Sequence, residues 1–174
     1  MIDPDYAKGL VIKSSTDDHV SVSGYASVFD LVDSHNDVIV KGAFAKTKSS
    51  RNIKFLWQHD RTQPIGVINM FHEDEHGLYV EATINTQTQQ GKEAIALVKQ
   101  GAINGLSIGF NILKADYNKD GKREITLVDL WEISLVTFPS NDQAQLSHVK
   151  NMPDPLSHLN ELLDRVITQL AKLN

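Results

Sequence analysis

Hydrophobic positions along this chain recur at two spacings. Alternation at every second residue, the spacing of strands with one covered face, dominates the first 138 residues. Spacing at three and four, the mark of a helix with one apolar stripe, appears only over residues 88–100 and 156–173. Residues 10–13 and 20–29 read as strands, with Val20, Val22 and Gly24 of the second alternating against Ser21 and Ser23. A polar loop over 30–37 leads to a short apolar piece at 38–40 and a helical turn over 42–47. Residues 52–58 read as a strand with Ile53, Phe55 and Trp57 on one face. His59 falls next on that face, before a loop over 60–64.

Residues 65–71 and 78–84 then read as a hairpin around a polar turn that contains Gly77. Thr86 or Thr88 caps a helix that runs to Gln100 with Ala94, Ile95, Leu97 and Val98 inward. Gly101 is placed just past its end, where a left-handed residue is needed. After it, Leu106, Ile108, Phe110 and Ile112 share one strand face, and Ser107, Gly109 and Asn111 the other. Asp120-Gly121 predicts a type I′ hairpin turn, and residues 125–128 and 131–138 complete the extended pieces.

Pro153 and Pro155 divide the chain into a strand-rich body, 1–150, and a C-terminal amphipathic helix, 151–174. The helix carries Leu156, Leu159, Leu163, Val166, Leu170 and Leu173 three and four apart. That stripe suits docking on the body or, alternatively, a homo-oligomer contact. The expected fold class is α+β: a mostly antiparallel, closed or nearly closed β-barrel flanked by helices.

Composition narrows the function. With 174 residues and 41% hydrophobic content the chain can bury one sizeable core. A net charge of −5 and the lack of any dense basic cluster give no footprint for nucleic acid. With no cysteine, disulfides, thiolate metal sites and cysteine nucleophiles are excluded. No signal peptide and no apolar run of membrane-spanning length is visible, so a membrane partner is not expected.

Ser107 is the candidate nucleophile. Glycines two residues to either side of it leave room for another backbone to approach. The stretch also satisfies Gly-x-Ser-x-Gly, but that pattern needs a strand–turn–helix, and extended chain follows Ser107. Of the seven histidines, His59 differs in continuing an apolar strand face up to a loop, where an imidazole is packed at its body and open at its tip. His148 and His158, in the tail, define a rival hydrolase built on Ser107. Glu132 lies within the apolar run 130–138, where a charge is costly unless paired; an imidazolium would pair it, and a solvent-facing strand would also accommodate it. Asp60 and Asp129 compete for that role.

Metal chemistry finds little support. Asp116, Asn118, Asp120 and Gly121 open like a calcium loop, but Leu127 stands at the twelfth position in place of a glutamate. Asp33, His35 and Asp37 alternate in a loop with no further ligand identifiable. No metal and no cofactor is expected.

Four blocks in order resemble the HK97-type prohead protease family of tailed bacteriophages. They are Gly42-Ala43-Phe44 after an Asp-rich loop, residues 55–60 with Pro64-Ile65-Gly66, Gly105-Leu106-Ser107-Ile108-Gly109-Phe110, and residues 129–139 followed by Asn141 and Ala144. The resemblance runs from about Gly24 to Ala144. It implies an assemblin-like fold and a serine endopeptidase with Ser107 as nucleophile, His59 as general base and Glu132 in the third place. It also implies cleavage of the scaffolding portion of the major capsid protein precursor, and of the enzyme itself, inside the procapsid in the host cytoplasm. The non-enzymatic alternative is an internal scaffold or assembly module of the same fold.

Overall fold

A computed structural model describes residues 15–16, 19–47 and 52–147. The strand expected over 10–13, the boundary at Pro153, the C-terminal helix, His148 and His158 lie outside them. In chain order the described elements are β1 (Ser15–Thr16), β2 (His19–Val28), β3 (Asp37–Ile39), β4 (Lys54–Trp57), β5 (Asp60–Glu73), β6 (Gly77–Asn85), α1 (Gln89–Gln100), β7 (Gly105–Tyr117) and β8 (Arg123–Val136). The helix forms where its caps predict. Thr88 accepts the Gly91 N–H through its hydroxyl at 3.1 Å, and Gly101 closes the C-terminus at φ 76°.

The eight strands form one sheet in the order β1-β2-β6-β5-β4-β8-β3, with β7 on the remaining edge of β8. β8 is the hub of the site. It pairs antiparallel with β7 along its length, and parallel with β3 and β4 at its two ends. An Arg123–Asp37 pair, with nitrogen–oxygen distances of 2.7 and 2.6 Å, fastens β3 to the start of β8. The sheet curls around a single core in which Phe55, Ile65, Leu78, Ile84, Leu106, Ile125, Leu130, Ile133 and Leu135 are at most 1% exposed. Each such side chain stabilises the fold by about 1.5–3 kcal/mol relative to exposure.

The expected closed or nearly closed barrel flanked by helices is seen in part. The sheet is curled and mostly strand, but among the described residues no strand ladder closes it. Between β2 and β7 run only isolated bridges, Gly24 with Leu146 and Gly105 with Gln145. A side chain at Gly24 would meet the Gln145 carbonyl oxygen at 2.5 Å, so glycine there lets the 145–147 backbone lie against β2. Helices are few: α1 is the one α-helix among the described residues, and 42–47 is a run of turns.

The hairpins also depart from the sequence reading. Residues 60–64, expected as loop, begin β5, and β4 ends at Trp57. Trp57 pairs with Asp60, so Gln58 and His59 alone make the turn, at φ 53° and 60°. Positive φ at both central residues is the type I′ arrangement. Conversely, the Asp120-Gly121 pair does not form such a turn. Residues 118–122 make a five-residue loop in which Gly121, at φ 75°, has the only positive φ. There Asn118 Oδ1 accepts the N–H groups of Asp120 and Lys122, each at 3.0 Å.

Candidate active site

Strand pairing places the candidate residues before any side chain is considered. In β7 and β8, Ser107 stands opposite Ser134 and Gly109 opposite Glu132. Directly opposed residues in an antiparallel pair share a face, with Cβ atoms about 4.5–5.5 Å apart. Ser107, Gly109, Glu132 and Ser134 therefore lie together, and Leu106, Ile108, Ile133 and Leu135 turn to the core face. Just before Glu132 the register slips: Gly109 faces Glu132 but Phe110 faces Leu130, which leaves Trp131 as an extra residue on β8. This bulge lets Leu130 and Ile133, three apart, both reach 0% exposure with Glu132 still directed to the opposite face.

His59 arrives at the same face from the β4–β5 turn. Left-handed backbone is costly for a histidine and a glutamine, by about 1–2 kcal/mol per residue. Several bonds hold it in place. Gln58 N–H donates to the Leu135 carbonyl at 3.0 Å. The Gln58 side-chain amide donates to the Thr137 hydroxyl at 2.7 Å and accepts the Thr137 N–H at 3.2 Å. His59 N–H donates to Ser134 Oγ at 3.2 Å. The imidazole Nδ1 then lies 2.6 Å from Glu132 Oε1, and Ser134 Oγ donates to Glu132 Oε2 at 2.6 Å.

The carboxylate is the covered partner of this pair. The Glu132 side chain is 12% exposed and that of His59 44%. A mostly buried carboxylate needs a cation or hydrogen-bond donors, and here it has the imidazole and a hydroxyl. The alternative of a solvent-facing strand for Glu132 is overturned, because Ser134, next on that face, is 0% exposed. Asp60 is not the partner of His59. Its Oδ1 accepts both the hydroxyl and the N–H of Thr62, and its Oδ2 accepts from Gln63. The Thr62 hydroxyl foremost, then the Thr62 N–H and Gln63, hold the Asp60 carboxyl below the ordinary carboxylate range. Asp129 stands beyond the bulge, opposite Asn111.

Gly109 has a different task from the one the sequence suggests. A Cβ there would fall 2.2 Å from Glu132 Oε1, the oxygen that meets His59. The missing side chain makes room for the carboxylate rather than for an incoming backbone. Ser107 is 6% exposed and makes no side-chain hydrogen bond among the described residues. Thus His59 and Glu132 are joined directly, and Ser107 lies one cross-strand step away on the same face. Ser107 also lines a cleft of about 270 Å³ with Ala26, Ser27, Leu106, Ile108, Phe110 and Asn141 among its other walls.

The loop considered for a cation is occupied with its own scaffold. Both Asp37 oxygens bind Arg123, and Asp33 Oδ1 accepts the N–H groups of His35 and Asp37 at 2.8 and 2.9 Å. Among the described residues no group of three or more His, Asp or Glu is placed to hold a metal ion. Ser134 was the residue that strand patterning missed. Its signal is a second polar residue at i+2 from a glutamate inside an apolar run, the spacing that puts both on one face.

Comparison with known proteins identifies the family. Residues 8–157 match the family described as caudovirus prohead serine protease. The prohead protease of Enterobacteria phage HK97 is 34% identical over 134 residues, covering 74% of this chain and 60% of that protein. The prohead protease of Escherichia phage T5 is 30% identical over 140 residues, covering 76% and 64%. The chain thus spans less than two thirds of the length of these two relatives. A capsid polyprotein of Pseudomonas phage PAJU2 is 31% identical over 152 residues, which are 22% of its length. Among solved structures, the capsid assembly protease of bacteriophage T4 superposes with a TM-score of 0.52 at 13% identity, over 67% of this chain and 82% of that one. That likeness speaks for the fold alone.

Proposed function

The chain belongs to the caudovirus prohead serine protease family, and on that premise we propose that it is a serine endopeptidase of capsid maturation. Its substrate is the scaffolding portion of the major capsid protein precursor, and it also cuts itself, inside the procapsid. The observation that carries the reading is the 2.6 Å contact of His59 Nδ1 with Glu132, on the strand face that Ser107 shares. The HK97 and T5 relatives are prohead proteases, and the PAJU2 match lies within a protein named capsid polyprotein, which favours a capsid substrate.

The chemistry is acyl transfer. Glu132 binds Nδ1–H and fixes the tautomer, so Nε2 carries the free lone pair. A peptide entering beside Ser107 presents its carbonyl carbon to Oγ, and Nε2 takes the hydroxyl proton as the new C–O bond forms. The imidazolium passes that proton to the leaving amine as the C–N bond breaks. Water then attacks the ester and gives its proton to Nε2, and Ser107 leaves with the proton returned. The buried charge of Glu132 stabilises the imidazolium in both steps.

The test is co-expression of the full chain with its cognate capsid precursor, read by intact mass. Wild type is expected to yield a shortened capsid protein, and Ser107→Ala the uncut precursor. Cleavage by the Ser107→Ala protein would refute the reading; an uncut precursor with wild type would favour the scaffold alternative.

A further inference from the structure

The hydroxyl of Ser134 occupies a position that the proposed mechanism does not yet use. Resting on the protease reading, we propose that Ser134 is a positioning residue that locks Glu132 and His59 into their working geometry. A serine hydroxyl has one proton to donate and two lone pairs to accept with. Ser134 gives its proton to Glu132 Oε2 at 2.6 Å and accepts the His59 N–H at 3.2 Å. One side chain therefore fixes the far oxygen of the carboxylate and the backbone of the residue that carries the imidazole.

Both constraints matter because neither group is held by packing alone. Glu132 rotates about its terminal bond unless both oxygens are engaged, and rotation would carry Oε1 away from Nδ1. His59 sits at φ 60°, a conformation that persists only where surrounding bonds determine it. Ser134 is 0% exposed and stands opposite Ser107 in the β7–β8 register, so it lies beneath the site and cannot touch a bound peptide. Its influence must pass through Glu132 and His59. With Ser134 removed, Oε2 is left in a covered place without this donor, and the turn loses an anchor.

Two variants of the full chain, Ser134→Ala and Ser134→Cys, test this. The assay uses a peptide spanning the capsid-precursor cleavage site and follows the downfield proton resonance of the His59–Glu132 hydrogen bond. Ser134→Ala is expected to lower kcat roughly tenfold to a hundredfold, the kinetic equivalent of one charge-assisted hydrogen bond. KM is expected to stay unchanged, and the resonance to weaken or vanish in a protein that still melts cooperatively. Ser134→Cys, close in volume with a weak S–H donor, is expected to fall between wild type and Ser134→Ala. An unaltered kcat, a loss confined to KM, or an intact resonance in folded Ser134→Ala would overturn the role. Failure of both variants to fold would assign the hydroxyl to the core and overturn it equally. If Ser107→Ala itself cleaves the peptide, the protease reading fails and takes this role with it; if only Ser107→Ala is inactive, the protease reading stands without Ser134.

Discussion

The β4–β5 and β7–β8 turns, near opposite ends of β8, obey opposite logics. The loop over 118–122 is built from residues suited to turns: Asn118 caps two N–H groups, and Gly121 takes the one positive φ. The turn at Gln58–His59 puts two unsuited residues at positive φ and compensates with bonds to Leu135, Thr137, Ser134 and Glu132. Local propensity shapes the first turn and tertiary contacts impose the second. Such imposed strain collects at functional sites, where a side chain has to be aimed at a cost. The difference sets the β4–β5 turn apart as the strained one, and that turn carries the His59 of the proposed mechanism.

The sharpest way to break the contrast is to disarm the tertiary contact that orients His59. Glu132→Gln keeps the shape but has one acceptor oxygen where the carboxylate has two, so it cannot take both the His59 Nδ1–H and the Ser134 hydroxyl proton. It is expected to lower kcat/KM by roughly a hundredfold to ten-thousandfold. Equilibrium unfolding should record a smaller effect, about 1–3 kcal/mol. An unchanged rate in a natively stable variant would remove Glu132 from the mechanism. Next in size is Gly109→Ala, whose new methyl falls on Glu132 Oε1. We expect a loss of stability of about 1–3 kcal/mol from overpacking, together with a fall in kcat of roughly tenfold or more as the carboxylate is displaced. Chemical denaturation and steady-state kinetics on one preparation measure both. The smallest effect belongs to the other turn. Gly121→Ala at φ 75° should cost about 1 kcal/mol in unfolding free energy and leave kcat of the folded protein unaltered. A kinetic defect there would show that the two ends are not separable.

Much of the fold was legible in the sequence because its signals are local. The α1 helix announces itself by a threonine, an apolar stripe and a closing glycine, and the structure uses Thr88 and Gly101 as those caps. The β5–β6 hairpin follows from period-two alternation, as does the inward turn of Leu106, Ile108 and Phe110 on β7, whereas Ile112, expected on the same face, is 39% exposed. What counting residues could not supply is register. Alternation carried through His59 put it on a strand face, whereas a two-residue turn after Trp57 places it there by a different backbone. Alternation also cannot foresee the bulge at Trp131, which resets which residues of β8 look inward. The open seam between β2 and β7 depends on the backbone of residues 144–146, whose sequence carries no strand pattern to announce it.

The site divides in the same way. Ser107, His59 and Glu132 were each visible as a residue out of place: a serine between glycines, a histidine ending an apolar run, a glutamate inside one. The pairing of Glu132 with an imidazolium is expected from the cost of a charge in an apolar run and, for His59 in particular, from the family resemblance. Spacing does not show it, since the bond joins positions 73 residues apart. Ser134 and the accommodating role of Gly109 emerge only once β7 and β8 are paired, because each acts on a neighbour across or along the sheet.

The most direct measurement is covalent capture of the nucleophile. The full chain, in a preparation that cleaves its capsid precursor, is treated with a fluorophosphonate and digested, and the modified peptide is mapped by mass spectrometry. The account predicts a single adduct on Ser107 with parallel loss of cleavage. An adduct on another residue, or full inactivation with Ser107 unmodified, would contradict it.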